Sequence, residues 1–336
     1  MTHVMSYLSQ GCRRISVCAL LTVPGLCASA AVLAAPVCAR QAAAAPQLAR
    51  LTQVMASGRY VAYQPTQIRV INGVASRADV AGITADLTVL RPRFDGLITY
   101  SVGSGADRVV DVAARLGFRA VILGIWNIDD EQELSLARAA IARHPQLVVG
   151  LSLGNERVLA GTTDMKQLAQ RLQRMRTRLP ALPLTSTEPF HLWLQAAAVP
   201  VLRNADFLLA NVHPAFQPWF QEADDLNAAR FVVNVTAQLS AQFCGPVLIK
   251  ETGVPTAPAD MGFTAKRQAS FYQSLKNQLM PDERRAFAWF SAFDAPWRVY
   301  DSHPTAGPQP QEGSWGLYTE DRQPKLVIGQ LSPLMR

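Results

Sequence analysis

Two glutamates stand where an apolar run stops. Val247-Leu-Ile-Lys-Glu-Thr-Gly-Val-Pro-Thr256 runs into Glu251 and then meets Gly253 and Pro255. Leu147-Val-Val-Gly-Leu-Ser-Leu-Gly-Asn-Glu156 has the same form and finishes on Asn155 and Glu156. A strand that ends on a carboxylate just before turn residues presents that side chain to a site and not to a core. One such glutamate is ordinarily a solvated loop residue; two of the same form make a constellation. A pair of carboxyl groups across a cleft can split acid and base work. The protonated one donates to a leaving oxygen, and the ionised one attacks an anomeric carbon or activates water. The amide of Asn155, beside Glu156, is suited to bond a sugar hydroxyl.

Such a pair needs a scaffold that brings distant strand ends together. Eight short apolar runs qualify as strands: Tyr60–Tyr63, Gly96–Tyr100, Ala120–Gly124, Leu147–Leu153, Leu182–Thr187, Phe207–Asn211, Val247–Glu251 and Ala286–Phe293. Segments with helical spacing lie between most of them, among them one opened by Ser76-Arg-Ala-Asp79, with Val80, Ile83, Leu87 and Leu90 following. This alternation predicts a parallel sheet closed into a (β/α)8 TIM barrel. Strands covered on both faces read as continuous apolar runs, as these do. An open doubly wound sheet would place a glycine-rich phosphate loop after its first strand, where Gln64-Pro65-Thr66 stands instead.

In such a barrel the site lies at the C-terminal ends of the strands. Glu156 then follows the fourth strand and Glu251 ends the seventh, on opposite sides of the mouth. Other residues at strand ends are candidates to hold a sugar: Tyr100, Trp126, Glu188 and His191, Asn211 and His213, Asp294 and Trp297. Aromatic faces stack on a pyranose, while amides and carboxylates bond its hydroxyls. The histidines lack the spacing of metal ligands, so neither a metal nor another cofactor is expected.

The chain has 336 residues, 49% hydrophobic and 17% charged, with a net charge of +7. It contains no Lys/Arg run and no ladder of aromatics between basic residues, which argues against nucleic acid as a partner. Arg13-Arg14 precedes an uncharged stretch, Ile15 to Ala39, with small-residue sites at Ala28-Ser-Ala30 and Leu33-Ala-Ala35. Residues 1–40 therefore read as a signal peptide or N-terminal anchor, 41–57 as a tether, and 58–336 as one catalytic domain. The expected place is outside the cytoplasm, periplasmic or extracellular, with a membrane tether if the segment is retained. Four of the five cysteines fall in this segment. Cys244 is left alone in the body, which predicts no internal disulfide and a small buried hydrophobe at that position. A monomer is the default expectation.

The motifs resemble those of glycoside hydrolase family 17, the β-1,3-glucanases and β-1,3-glucanosyltransferases, and among them the bacterial members. The likeness spans roughly Tyr60 to Lys325. Leu153-Gly-Asn-Glu156 is similar to the family's acid/base motif, and Ile249-Lys-Glu-Thr-Gly-Val-Pro-Thr256 to its nucleophile signature. Thr185-Ser-Thr-Glu-Pro-Phe-His-Leu-Trp193, Phe290-Ser-Ala-Phe-Asp-Ala-Pro-Trp297 and Trp315-Gly-Leu-Tyr-Thr-Glu-Asp-Arg-Gln-Pro-Lys325 match further segments. The resemblance implies a β-1,3-glucan partner and a retaining mechanism, with Glu156 as acid/base and Glu251 as nucleophile. Retention implies carboxyl groups about 5–5.5 Å apart, against about 6.5–9.5 Å for inversion. It also implies a raised pKa at Glu156 and an ionised Glu251. Lys250, Val254, Ile98 and Ala215 depart from the family pattern. Strand alternation predicts that Lys250 faces away from the side that carries Glu251. Whether water or a sugar takes the glycosyl group stays open. The alternatives are a non-catalytic glycan-binding barrel and a hydrolase of another β-linked polysaccharide.

Overall fold

The computed structural model describes residues 35–38, 42–300 and 308–334. The expected signal or anchor segment, residues 1–40, lies outside these apart from 35–38. Eight parallel strands close into a barrel: β1 (Tyr60–Ala62), β2 (Gly96–Ile98), β3 (Ala120–Ile125), β4 (Val148–Asn155), β5 (Leu184–Pro189), β6 (Leu208–Asn211), β7 (Val247–Glu251) and β8 (Arg285–Trp289). Each pairs with its neighbour in sequence, and β1 closes the ring on β8. The expected (β/α)8 barrel is what forms. Strand β8 is shorter than the apolar run suggested, because Phe290–Phe293 leaves the sheet to line the mouth.

Five helices between strands begin on side-chain caps that satisfy one or more of their first free N–H groups. Asp130, Asp164, Asp224 and Thr264 cap the helices α4 (Glu131–Arg143), α5 (Met165–Arg178), α6 (Asp225–Gln242) and α7 (Ala265–Gln278). Helix α2 (Val80–Leu90) is capped by Asp79, which accepts from Gly82 N–H, and not by Ser76. The Ser76 hydroxyl is instead bonded to the backbone of Gln67 and Arg69. Helix α3 (Val109–Arg115) and the one-turn helices Phe190–Trp193 and Val199–Leu202 between β5 and β6 start without a side-chain cap.

The stretch expected to be a tether is a packed helix, α1 (Ala45–Ser57). Leu51, Val54 and Met55 are buried in one cluster with Tyr60, Ile98, Ala120, Ile122, Val149, Leu209, Leu248 and Ala288 from the barrel strands and with Phe207 just ahead of β6. Leu51, Val54 and Met55 lie on one helical face, and burying each of them is worth about 1.5–3 kcal/mol. Helix α1 thus stoppers the N-terminal end of the barrel, opposite the mouth.

The expectation of a lone Cys244 is also corrected. Cys38 and Cys244 form a disulfide, with Cα atoms 5.0 Å apart. Val37 makes a parallel bridge to Phe243, donating from its N–H to Gln242 O at 2.8 Å and accepting from Cys244 N–H at 3.0 Å. The backbone pairing brings the two sulfurs together. Cys38 falls in the segment that reads as exported, and spacing alone does not show that it turns back to the base of the barrel.

Candidate active site

Two irregularities in the strands aim the glutamates. Between β4 and β5 the register shifts after Ser152↔Thr185, so that Asn155 pairs with Thr187. Gly154 takes up the bend at φ 82° and Glu156 follows at φ 53°, both in the left-handed region that glycine tolerates best. A Cβ on Gly154 would lie 2.5 Å from Cγ of Arg157. The Glu156 N–H donates to Thr187 O at 2.8 Å, which pins the turned residue at the mouth.

Between β6 and β7 the register jumps from Ala210↔Ile249 to Asn211↔Glu251, leaving Lys250 as the extra residue. A bulge of this kind re-aims side chains and suspends alternation. Lys250 therefore does not face away from Glu251, as regular alternation predicted. Its Nζ lies 3.4 Å from Glu251 Oε1, 2.5 Å from Asn155 Oδ1 and 4.0 Å from the centre of the Tyr100 ring. The residue is 1% exposed.

Glu251 lies on the floor of the cleft. His213 Nε2 is 3.3 Å from its Oε2, while its Oε1 carries no hydrogen bond and has Lys250 as its ionic neighbour. The Tyr100 hydroxyl is buried, unpaired and within the field of Glu251. Burial alone would raise the pKa of Glu251. The charge of Lys250, the bond from His213 and the Arg298 guanidinium overcome this and hold it below the ordinary carboxylate range. Glu156 is displaced the other way. Burial raises its pKa and the negative charge of Glu251 adds to this, against the bond from Asn211, whose Nδ2 donates to Glu156 Oε1 at 2.8 Å. One carboxyl is thus biased toward the acid and its neighbour toward the anion.

Tyr100, Trp126, Asn155, Asp294 and Trp297 line the same cleft as Glu251, together with Gln64–Thr66, Phe290 and Arg298. Asn211 and His213 touch the two glutamates directly. Asp294 is also tied into the C-terminal segment, accepting from Gly316 N–H at 2.7 Å and Lys325 Nζ at 2.8 Å.

Two expected sugar contacts sit elsewhere. Glu188 is fully buried and accepts from the N–H groups of Val158 and Leu159 at 2.8 and 3.2 Å, so its carboxyl group holds the turn that follows Glu156. His191 is exposed on the short turn Phe190–Trp193, with its ring edge-on to Phe190.

Three supporting residues carried no sequence signal. Glu133 accepts from Ser101 Oγ–H at 2.6 Å and from Trp126 and Asn127 N–H at 2.9 and 2.8 Å, which ties the ends of β2 and β3 together. Asp86 accepts from Tyr63 O–H, Thr66 N–H and Arg322 Nε, which fixes the loop after β1. Arg298 packs over the Phe290 ring and pairs with Glu312 at 3.4 Å.

A family profile described as the BtgE/BtgC glycoside hydrolase domain matches residues 61–316. The chain belongs to this family. As a member it is an O-glycosyl hydrolase. This glycoside hydrolase is 26% identical over 268 residues to a glucan 1,3-beta-glucosidase of Arthroderma benhamiae, across 74% of its own chain and 84% of the relative. It is 25% identical over 186 residues to a probable glucan endo-1,3-beta-glucosidase of Emericella nidulans, across 48% of its own length and 40% of the relative.

Among solved structures, the family 17 beta-1,3-glucanosyltransferase of Rhizomucor miehei shares its barrel with a TM-score of 0.62 at 20% identity, covering 80% of this glycoside hydrolase and 95% of the neighbour. An endo-laminarinase from Formosa shares it with a TM-score of 0.66 at 17% identity, covering 81% and 86%. The resemblance to family 17 drawn from the motifs is matched at the level of a glycoside hydrolase family and of the barrel fold.

Proposed function

We propose that this glycoside hydrolase acts on β-1,3-linked glucan by double displacement, with Glu156 as acid/base and Glu251 as nucleophile. The observation that carries this reading is the opposite bias of two neighbouring carboxyl groups, Glu156 upward and Glu251 downward. In the first step the Glu156 carboxyl gives its proton to the glycosidic oxygen. The bond from that oxygen to the anomeric carbon breaks, and a Glu251 oxygen bonds to the carbon. In the second step Glu156, now a carboxylate, takes a proton from water or a sugar hydroxyl whose oxygen displaces Glu251.

Direct attack by Glu251 is favoured by its crowded floor, where Lys250, His213 and Tyr100 already surround the carboxylate. The glucan assignment is supported by the names of the relatives, and by a Rhizomucor miehei neighbour described in complex with laminaritriose. The Trp126 and Trp297 rings supply stacking faces on the cleft wall. Export is part of the proposal, supported by the Cys38–Cys244 disulfide, which suits an oxidising compartment.

Product analysis on laminari-oligosaccharides tests the reading. Proton NMR of the first product should show the β-anomer; an α-anomer refutes double displacement. Products longer than the substrate identify transfer to a sugar. Glu251→Gln should lose activity by orders of magnitude, and Glu251→Gly with azide should regain turnover as an α-glycosyl azide. Full activity in the Gln variant rules out the nucleophile role. Cleavage of some other β-linked polymer with none of laminari-oligosaccharides refutes the substrate.

A further inference from the structure

Lys250 is a buried ammonium brought to the catalytic floor by the bulge in β7, not by the strand's regular alternation. An ammonium has three donors and is strongly disfavoured in a dry interior without partners. Here its neighbours are Glu251 Oε1, Asn155 Oδ1 and the face of Tyr100, from three different walls of the cleft. With Oδ1 of Asn155 engaged by Lys250, the amide of Asn155 is oriented by the lysine.

We propose that Lys250 is a positioning residue that balances the negative charge of the carboxyl pair in both halves of the reaction. This rests on the roles given above to Glu156 and Glu251. Before the first step the charge sits on Glu251 and the proton on Glu156. Once the glycosyl ester has formed, Glu251 is neutral and Glu156 carries the charge. The proton has gone to the departing sugar, and the ammonium of Lys250 is unchanged. Burial lowers the pKa of Lys250, and its electrostatic interactions with Glu251 and Glu156 work against that lowering. The pair therefore keeps a compensating positive charge whichever member is ionised.

The other ionisable groups facing Glu251 are His213 after β6, Tyr100 after β2, Glu156 after β4 and Arg298 after β8. His213 bonds Oε2, the opposite oxygen from the one facing Lys250, and Arg298 is shared with Glu312. Lys250 lies 3.4 Å from Oε1.

The test uses Lys250→Met and Lys250→Gln in the full chain, with an activated aryl β-laminarioligoside whose leaving group needs no proton. The acid limb of kcat/KM then reports Glu251. In the wild type it should lie well below the ordinary glutamate range. In both variants it should rise by about one pH unit or more, a tenfold loss at acidic pH. A uniform fall in activity with unmoved limbs overturns the proposal and leaves Lys250 a packing residue. If neither variant folds, as judged by near-UV circular dichroism, the wild-type profile decides: an acid limb at about 4.3 overturns it. Failure of the assigned roles is read separately, because Glu251→Gly that folds without azide rescue removes the nucleophile whatever Lys250 does.

Discussion

Replacing Glu188 by Gln separates two jobs that a buried glutamate beside an active site can have. Its two oxygens accept the N–H groups of Val158 and Leu159, and burial pushes its carboxyl up to about 8, against the pull of those two bonds. An amide of the same shape offers one acceptor, so one backbone N–H faces an NH2 group and loses its partner. An unmet buried donor costs about 1–3 kcal/mol. At a middle value of about 2 kcal/mol, the melting temperature of a domain this size falls by about 3–4 °C.

The sign of the pH dependence follows from the raised pKa. The folded state holds the Glu188 proton more tightly than the unfolded chain. Its contribution is therefore full below about 4.5 and is lost as pH rises through about 8. The gap in melting temperature between wild type and Glu188→Gln should accordingly narrow as pH climbs across that window. Thermal unfolding followed by circular dichroism from pH 4 to 9 reads both effects. Steady-state kinetics should show a lower kcat with KM little changed, since the turn behind Glu156 loosens while the sugar contacts remain. An unchanged melting curve with a several-fold rise in KM would refute this reasoning and return Glu188 to the substrate.

Asn211→Ala removes the 2.8 Å bond that stabilises ionised Glu156. Bonds to charged groups exceed neutral ones by about 1 kcal/mol or more, so the alkaline limb of the pH profile should move up by about one unit as kcat falls. An unmoved limb would show that the amide does not bias the acid. Cys244→Ser opens a link spanning 206 residues, and chain-entropy arguments put the loss at up to about 5 kcal/mol. A melting temperature identical with and without the sulfur, or with and without reductant, would contradict that. Trp297→Ala removes a cleft face and should raise KM for longer oligosaccharides more than for short ones. Equal KM values across chain lengths would place the sugar elsewhere.

The barrel was legible because buried parallel strands must be apolar on both faces, and the runs from Gly96 through Val247 carry that mark. The two glutamates were legible because each sits at the edge of such a run. What escaped were features set by a break in periodicity or by distance. Alternation sends Lys250 outward, and only the register shift opposite Ala210 and Asn211 turns it in. Glu188 sits near the end of its strand much as Glu251 does, but its neighbours are two backbone N–H groups that belong to another loop. Helix α1 hid behind an alanine-rich composition, although Leu51, Val54 and Met55 fall on one side of it. The partner of Cys244 lay 206 residues away, within the segment that reads as an export signal.

The stopper helix and the sulfur link share a geometric consequence. Both gather residues 35–38 and helix α1 at the closed pole of the barrel, with Cys38 beside Cys244 just ahead of β7. The carboxyl pair opens at the other pole. A surface gripping this molecule through the residues ahead of Cys38 would hold it by its heel, with the cleft turned outward toward polymer arriving from solution.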